Sequence, residues 1–150
     1  GKQVVVSGDA AGLEGFGEVC REQGAKVVPL KVSVANHSPL VTGAVEDFAA
    51  FMADIDFAQP AAPVIFNVTA APEIDPQAIR SIMARQIASP VRWFESVTTM
   101  VENGVELFVE AGPRNVLTGL LKKIVPRDRV TCVQFDSPAA LDRVVEEIRK

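Results

Sequence analysis

The chain has 150 residues, enough for one ordinary domain, and a formal net charge of −4 with acidic and basic residues interspersed. At 48% hydrophobic and 23% charged residues it has a globular composition, not a disordered one. With no basic stripe, no tyrosine and only 6% aromatic residues, it lacks the footprint of a phosphate-tracking or base-stacking surface, which speaks against nucleic acid as a partner.

Gln3 to Ser7 is a short β-branched run, predicted as a strand. A chain that opens Gly1-Lys2-Gln3 directly into Val4-Val5-Val6, with no methionine, is expected to be part of a longer polypeptide. Gly8-Asp9-Ala10 is a turn with Asp9 as N-cap, and Leu13, Phe16, Val19 and Cys20 recur at helical spacing up to Gly24. Ala25 to Val34 again alternates like a strand, which completes a strand-helix-strand unit. Ser38-Pro39 starts a helix whose apolar face runs from Leu40 to Met52. After a proline-bearing loop come a strand, Val64 to Thr69, and a helix opened by Asp75-Pro76 with Ile79, Ile82, Met83 and Ile87 inward; Ser89-Pro90 breaks that helix. Trp93 to Glu102 reads as a helix closed by Asn103-Gly104, and Val105 to Glu110 as a strand. Gly112-Pro113 leads into a helix carrying Val116, Leu117, Leu120, Leu121 and Ile124. Arg129 to Phe135 is the last strand, and Ser137-Pro138 opens a final helix with Leu141, Val144, Val145 and Ile148 inward. Strands alternating with helices predict an α/β fold with parallel pairing.

Cys20 and Cys132 stand far apart, with no C-x-x-C pair and no Cys/His cluster, so neither a zinc site nor any cofactor is expected. Two reduced thiols in a cytoplasmic protein is the plain reading. No apolar run approaches the ~20 residues that span a bilayer, and the N-terminal one is too short for a signal peptide.

The one histidine, His37, lies where a strand gives way to a proline-started helix, among the small or polar residues Ala35, Asn36 and Ser38. Strand-to-helix junctions are where α/β proteins place functional groups. A histidine base needs a hydroxyl to deprotonate, yet no serine here sits in a G-x-S-x-G turn, and the side chains of adjacent His37 and Ser38 are expected to diverge. Gly8-Asp9-Ala10-Ala11-Gly12 has neither the spacing nor the lysine of a phosphate loop. The helix after Gly112-Pro113-Arg114-Asn115 either binds an anion at its free N–H groups or is simply capped. Lys122, Lys123, Arg127 and Arg129 form either a solvated face or a contact surface.

Read together, several stretches are specific. Val32-Ser33-Val34-Ala35-Asn36-His37-Ser38-Pro39-Leu40-Val41 resembles the V-S-x-x-x-H-S-P-L-M segment of malonyl-CoA:acyl-carrier-protein transacylases and polyketide-synthase acyltransferase domains. Pro63 to Ala70 is similar to their P-V-x-x-N-V-T strand, Arg85 to Trp93 to R-Q-L-x-x-P-V-x-W, and Glu110 to Leu120 to E-x-G-P-x-x-V-L-T-G-L. Gln3 to Gly8 is similar to the Q-V-V-I-A-G strand. All occur in family order and cover essentially the whole chain.

The resemblance implies an enzyme that moves malonyl from malonyl-CoA through a serine to the phosphopantetheine thiol of acyl carrier protein, in fatty-acid synthesis. It implies His37 as general base and the main-chain carbonyl of Gln86 as the group that orients its ring. Asn36 and Ser38 flank the acyl site, Asn36 at the position that helps sort malonyl from methylmalonyl, and Lys122 and Lys123 match a basic pair proposed to meet the carrier protein. The family's nucleophilic serine, its malonyl-binding arginine and its oxyanion-loop glutamine all lie upstream of the segment matched here. The expectation is therefore a C-terminal half, inactive alone, that partners an N-terminal half of the same enzyme. Residues 1–33 would be a partial ferredoxin-like small subdomain, and residues 34–150 the C-terminal part of an α/β-hydrolase-like body. A polyketide-synthase acyltransferase domain and a non-catalytic carrier-protein-binding module are the alternatives; the acidic last helix resembles a chain end more than an interdomain linker, which favours the stand-alone enzyme. An oriented imidazole, which a pure binder does not need, speaks against the binding module.

Overall fold

The structure is a computed structural model that describes residues 3–149. It divides into two bodies, one of residues Gln3–Arg92 and the other running from Trp93 onward.

The first body begins with an extended segment that leads into α1 (Ala10–Glu22). The helix starts where expected because the Asp9 carboxylate accepts the Gly12 N–H at 2.8 Å. It stops because Gly24, at φ 79°, turns left-handed, and the N–H groups of Gly24 and Ala25 reach back to the carbonyls of Arg21 and Cys20. The strands predicted on either side are corrected by the structure. Residues 3–7 and 25–34 form no ladder, and their apolar side chains stand open: Val4 is 78% exposed and Val32 65%. A strand is a property of a pair, and among the described residues neither segment joins a sheet.

Ser38-Pro39 opens a 3₁₀ turn, Pro39–Val41, before α2 (Gly43–Phe51). Of the apolar face predicted there, Met52 is buried while Leu40 and Phe51 remain exposed. The predicted strand Val64 to Thr69 shrinks to β1 (Val64–Ile65), paired antiparallel with β2 (Pro72–Glu73), a strand the sequence reading missed. Next comes α3 (Pro76–Arg85), capped by the Asp75 carboxylate on the Ala78 N–H at 2.7 Å and continued by a second 3₁₀ turn, Gln86–Ala88. Ile79 and Ile82 join Phe66 in the core, with Phe57, Val68 and Met83 against them; each fully buried side chain of this kind contributes about 1.5–3 kcal/mol. Ile87, predicted inward, is exposed because its backbone has already left the helix. Arg80 ties the loop after α2 to α3, donating to the carbonyls of Ala53 and Ile55 while its guanidinium lies over the Phe57 ring.

The second body holds α4 (Trp93–Glu102), β3 (Leu107–Ala111), α5 (Val116–Leu121), β4 (Thr131–Phe135) and α6 (Pro138–Ile148). β3 and β4 pair in parallel from Leu107 opposite Thr131 to Ala111 opposite Phe135, as the alternating pattern predicts. Val97, Leu121 and Val125 form its core, packed by Trp93, Phe108 and Cys132 among others. On α6, Val144 is buried, but Leu141 and Ile148 are exposed, against expectation. Among the described residues no helix is long and apolar enough to cross a membrane.

Of the two readings of the α5 N-terminus, the structure favours the cap, and the anion is the protein's own. Asn115 makes no side-chain cap. The Glu110 carboxylate, at the end of β3, accepts the N–H groups of Leu117 and Thr118 at 2.9 and 2.8 Å. Partial desolvation pushes its carboxyl up, but donation from the Thr118 N–H and hydroxyl and from the Leu117 and Val116 N–H groups outweighs that and holds it below the ordinary glutamate range.

A folded-state pKa below the unfolded one stabilises the fold fully above the ordinary carboxylate range, and the effect is lost as pH falls through the depressed value. Urea unfolding as a function of pH is therefore expected to show Glu110→Gln less stable than wild type at neutral pH, with the two converging in acid. Parallel curves across that range would contradict the cap.

Candidate functional site

His37 stands at a corner. Its φ of 63° is left-handed, a region that non-glycine residues seldom adopt. The next residue, Ser38, is extended at φ −132°, ψ 163°, as the following Pro39 requires. Consecutive left-handed and extended residues reverse the chain within two positions. His37 ends up exposed, while its neighbour Ser38 is only 4% exposed.

The corner is held from across the body by the turn that ends α3. The His37 N–H donates to the Ile87 carbonyl at 2.6 Å. The ring Nδ1 lies 3.1 Å from the Ser89 carbonyl oxygen and 3.3 Å from that of Gln86. Helix ends leave carbonyls without intrahelical donors, and here these carbonyls face one residue. A left-handed residue costs roughly 1–2 kcal/mol, and a net hydrogen bond returns roughly 0.5–1.5 kcal/mol, so the cradle is of the right size to offset the strain. With Nδ1 engaged by two oxygens that can only accept, the ring carries its proton there. Nε2 has no partner among the described residues.

Ser38 faces the other way. Its hydroxyl donates to the Ala35 carbonyl at 2.7 Å and accepts the Leu40 N–H at 3.3 Å, so it builds the 3₁₀ turn and forms no pair with the imidazole. Asn36 is half-buried, and its amide has no partner among the described residues. Gln86 contributes its main-chain oxygen, which also accepts the Ser89 N–H at 3.3 Å. The first body thus brings together Asn36, His37, Ser38 and Gln86. Lys122 and Lys123 belong to the second body, both exposed at the end of α5; cations there also complement the carbonyl end of a helix. Lys122 lines a cavity of about 280 Å³ with Arg127, Cys132 and three aliphatic residues.

Sequence reasoning missed the Ser89 and Ile87 carbonyls. The one signal available was Ser89-Pro90, since a residue before proline is driven to extended geometry. Ser89 has φ −111° and ψ 149°.

The family model described as the acyl transferase domain matches residues 1–143. The malonyl CoA-acyl carrier protein transacylase of Salmonella typhimurium is 40% identical over 146 residues, which is 97% of this chain and 47% of that protein. The Haemophilus influenzae protein of the same description is 41% identical over 124 residues, or 82% and 40%. Among solved structures, the acyl-carrier-protein S-malonyltransferase of Burkholderia pseudomallei superposes with a TM-score of 0.87 at 36% identity, covering 93% of this chain and 45% of that one. A malonyl-transacylase solved in complex with a type II PKS acyl-carrier protein gives 0.86 at 37% identity, with the same coverage. The chain therefore spans less than half the length of these relatives, and it belongs to the acyl transferase domain family.

Proposed function

We propose that this chain supplies the general base of a malonyl transfer from CoA to the phosphopantetheine thiol of acyl carrier protein. The observation that carries the reading is the His37 ring: exposed, held at Nδ1 by carbonyls of the Gln86–Ser89 segment, and without a partner at Nε2 among the described residues. In that state Nε2 accepts the proton of a serine hydroxyl as its oxygen attacks the malonyl thioester. The tetrahedral intermediate collapses, the CoA sulfur leaves, and the imidazolium returns the proton to it. The carrier-protein thiol then gives its proton to Nε2 and attacks the malonyl-serine ester, and the serine oxygen leaves with that proton. The carbonyls fix the ring's tautomer and direction without adding the negative charge of an aspartate.

The serine lies outside this chain on this reading, since no serine here stands in a G-x-S-x-G turn. The chain alone is inactive, and the partner that completes it is the N-terminal half of the family's length. The exposed apolar side chains support this: Val4 to Val6, Phe16 at 53% exposed, and Val28, Leu30, Val32 and Val34 stand open as apolar groups that a partner would cover. Residues 1–33 then belong to a ferredoxin-like small subdomain whose remaining strands come from the missing half, and residues from 34 on to the α/β-hydrolase-like body. Asn36 and the Ser38-built turn border the acyl group. Lys122 and Lys123 meet the acidic carrier protein, acting mainly on encounter rate. A cytoplasmic location goes with this reading and rests on it alone. The similarity to a transacylase complexed with a type II PKS acyl-carrier protein keeps a polyketide carrier protein as the second reading.

In the full-length protein, His37→Ala is expected to lower malonyl transfer at least ~100-fold, the usual scale for a general base. Near-normal turnover would remove the assignment. Lys122→Glu combined with Lys123→Glu is expected to raise the apparent KM for carrier protein and leave that for malonyl-CoA unchanged, with the effect fading at high salt. Equal effects on both substrates would count against docking.

A further inference from the structure

We propose that Ser89, locked by Pro90, is a positioning residue for His37, and that its main-chain carbonyl is the principal acceptor fixing the ring tautomer. The proposal rests on the reading of His37 as the base. Of the two oxygens facing Nδ1, that of Ser89 is nearer, 3.1 Å against 3.3 Å. The Gln86 oxygen is also shared with the Ser89 N–H.

The position of the Ser89 carbonyl follows from the local sequence. Had the helical turn continued, residue 89 would have had ψ near −40° and its carbonyl would have run along the helix axis. Pro90 disfavours that conformation, and Ser89 takes ψ 149° instead, which turns the carbonyl out of the helix path and toward the imidazole. Two further bonds hold the residue there: its hydroxyl donates to the Arg85 carbonyl at 2.8 Å, and its N–H to that of Gln86 at 3.3 Å. A neutral imidazole has one N–H. Donating it to this pair of carbonyls leaves the Nε2 lone pair free, whereas an imidazole without such acceptors favours the opposite tautomer. The Gln86 side chain takes no part.

His37 is the only histidine, so ¹⁵N-histidine labelling of the chain gives a single imidazole whose proton-nitrogen correlations report the tautomer directly. At a pH where the ring is neutral, the wild-type chain is expected in the Nδ1–H form. Pro90→Ala is expected to move the ratio at least threefold toward Nε2–H, and Gln86→Ala, which keeps its carbonyl, to leave it in place. A folded Pro90→Ala chain with the wild-type ratio overturns the role of Ser89 and leaves the general-base reading standing. A wild-type chain in the Nε2–H form overturns both. Should Pro90→Ala fail to fold, the wild-type chain decides: the ¹³C carbonyl shift of Ser89, selected through ¹⁵N-proline, is expected to move as His37 titrates while that of Ser137 stays still. A Ser89 carbonyl shift that does not move overturns the proposal.

Discussion

A helix that stops leaves its last carbonyls in need of donors, and at the end of α3 the carbonyls of Gln86, Ile87 and Ser89 are answered by His37. Everything else in the site is arranged around that contact. The backbone N–H of His37 takes one oxygen and the ring nitrogen shares the other two, so the residue is fixed both in its main chain and in its side chain. The left-handed φ of His37 is what allows both at once: the corner carries the N–H and the imidazole toward one turn while Ser38 turns back into the interior. The strain is local and small, and the bonds that offset it are the same ones that orient the ring.

The sequence grammar on both sides of this contact is the same device used twice. A serine before a proline must be extended, so Ser38-Pro39 reverses the chain after His37 and Ser89-Pro90 ends the turn that faces it. In each case the serine hydroxyl bonds a carbonyl three or four residues back, Ala35 for Ser38 and Arg85 for Ser89. Two unremarkable dipeptides, 51 positions apart in the chain, thus meet around one imidazole. In the second body the corresponding economy is at Glu110, a strand residue that caps a short helix because the residue at the cap position does not.

Most of the helices were legible because they carry their own punctuation: Asp9, Asp75 and Ser137-Pro138 at the starts, Gly24 and Asn103-Gly104 at the ends. The strands were legible only where a partner exists in the chain. Leu107–Ala111 and Thr131–Phe135 find each other across α5, whereas residues 3–7 and 25–34 have strand composition but join no sheet among the described residues. The same reason explains why Leu40, Phe51 and Ile148 were expected inside and are not: periodicity reports which face is apolar, not whether anything covers it. The contact between the His37 ring and the Gln86 carbonyl was readable through ordered motifs. The left-handed corner and the Ser89 carbonyl were not, because backbone oxygens carry no residue-type signature.

The most direct test of the account is to locate the ring proton itself, by neutron diffraction from deuterated crystals of this chain. The account predicts deuterium on Nδ1 of His37, within hydrogen-bond reach of the Ser89 and Gln86 oxygens, and a bare Nε2. Deuterium on Nε2 of a neutral ring, or an imidazole swung away from the end of α3, would contradict it.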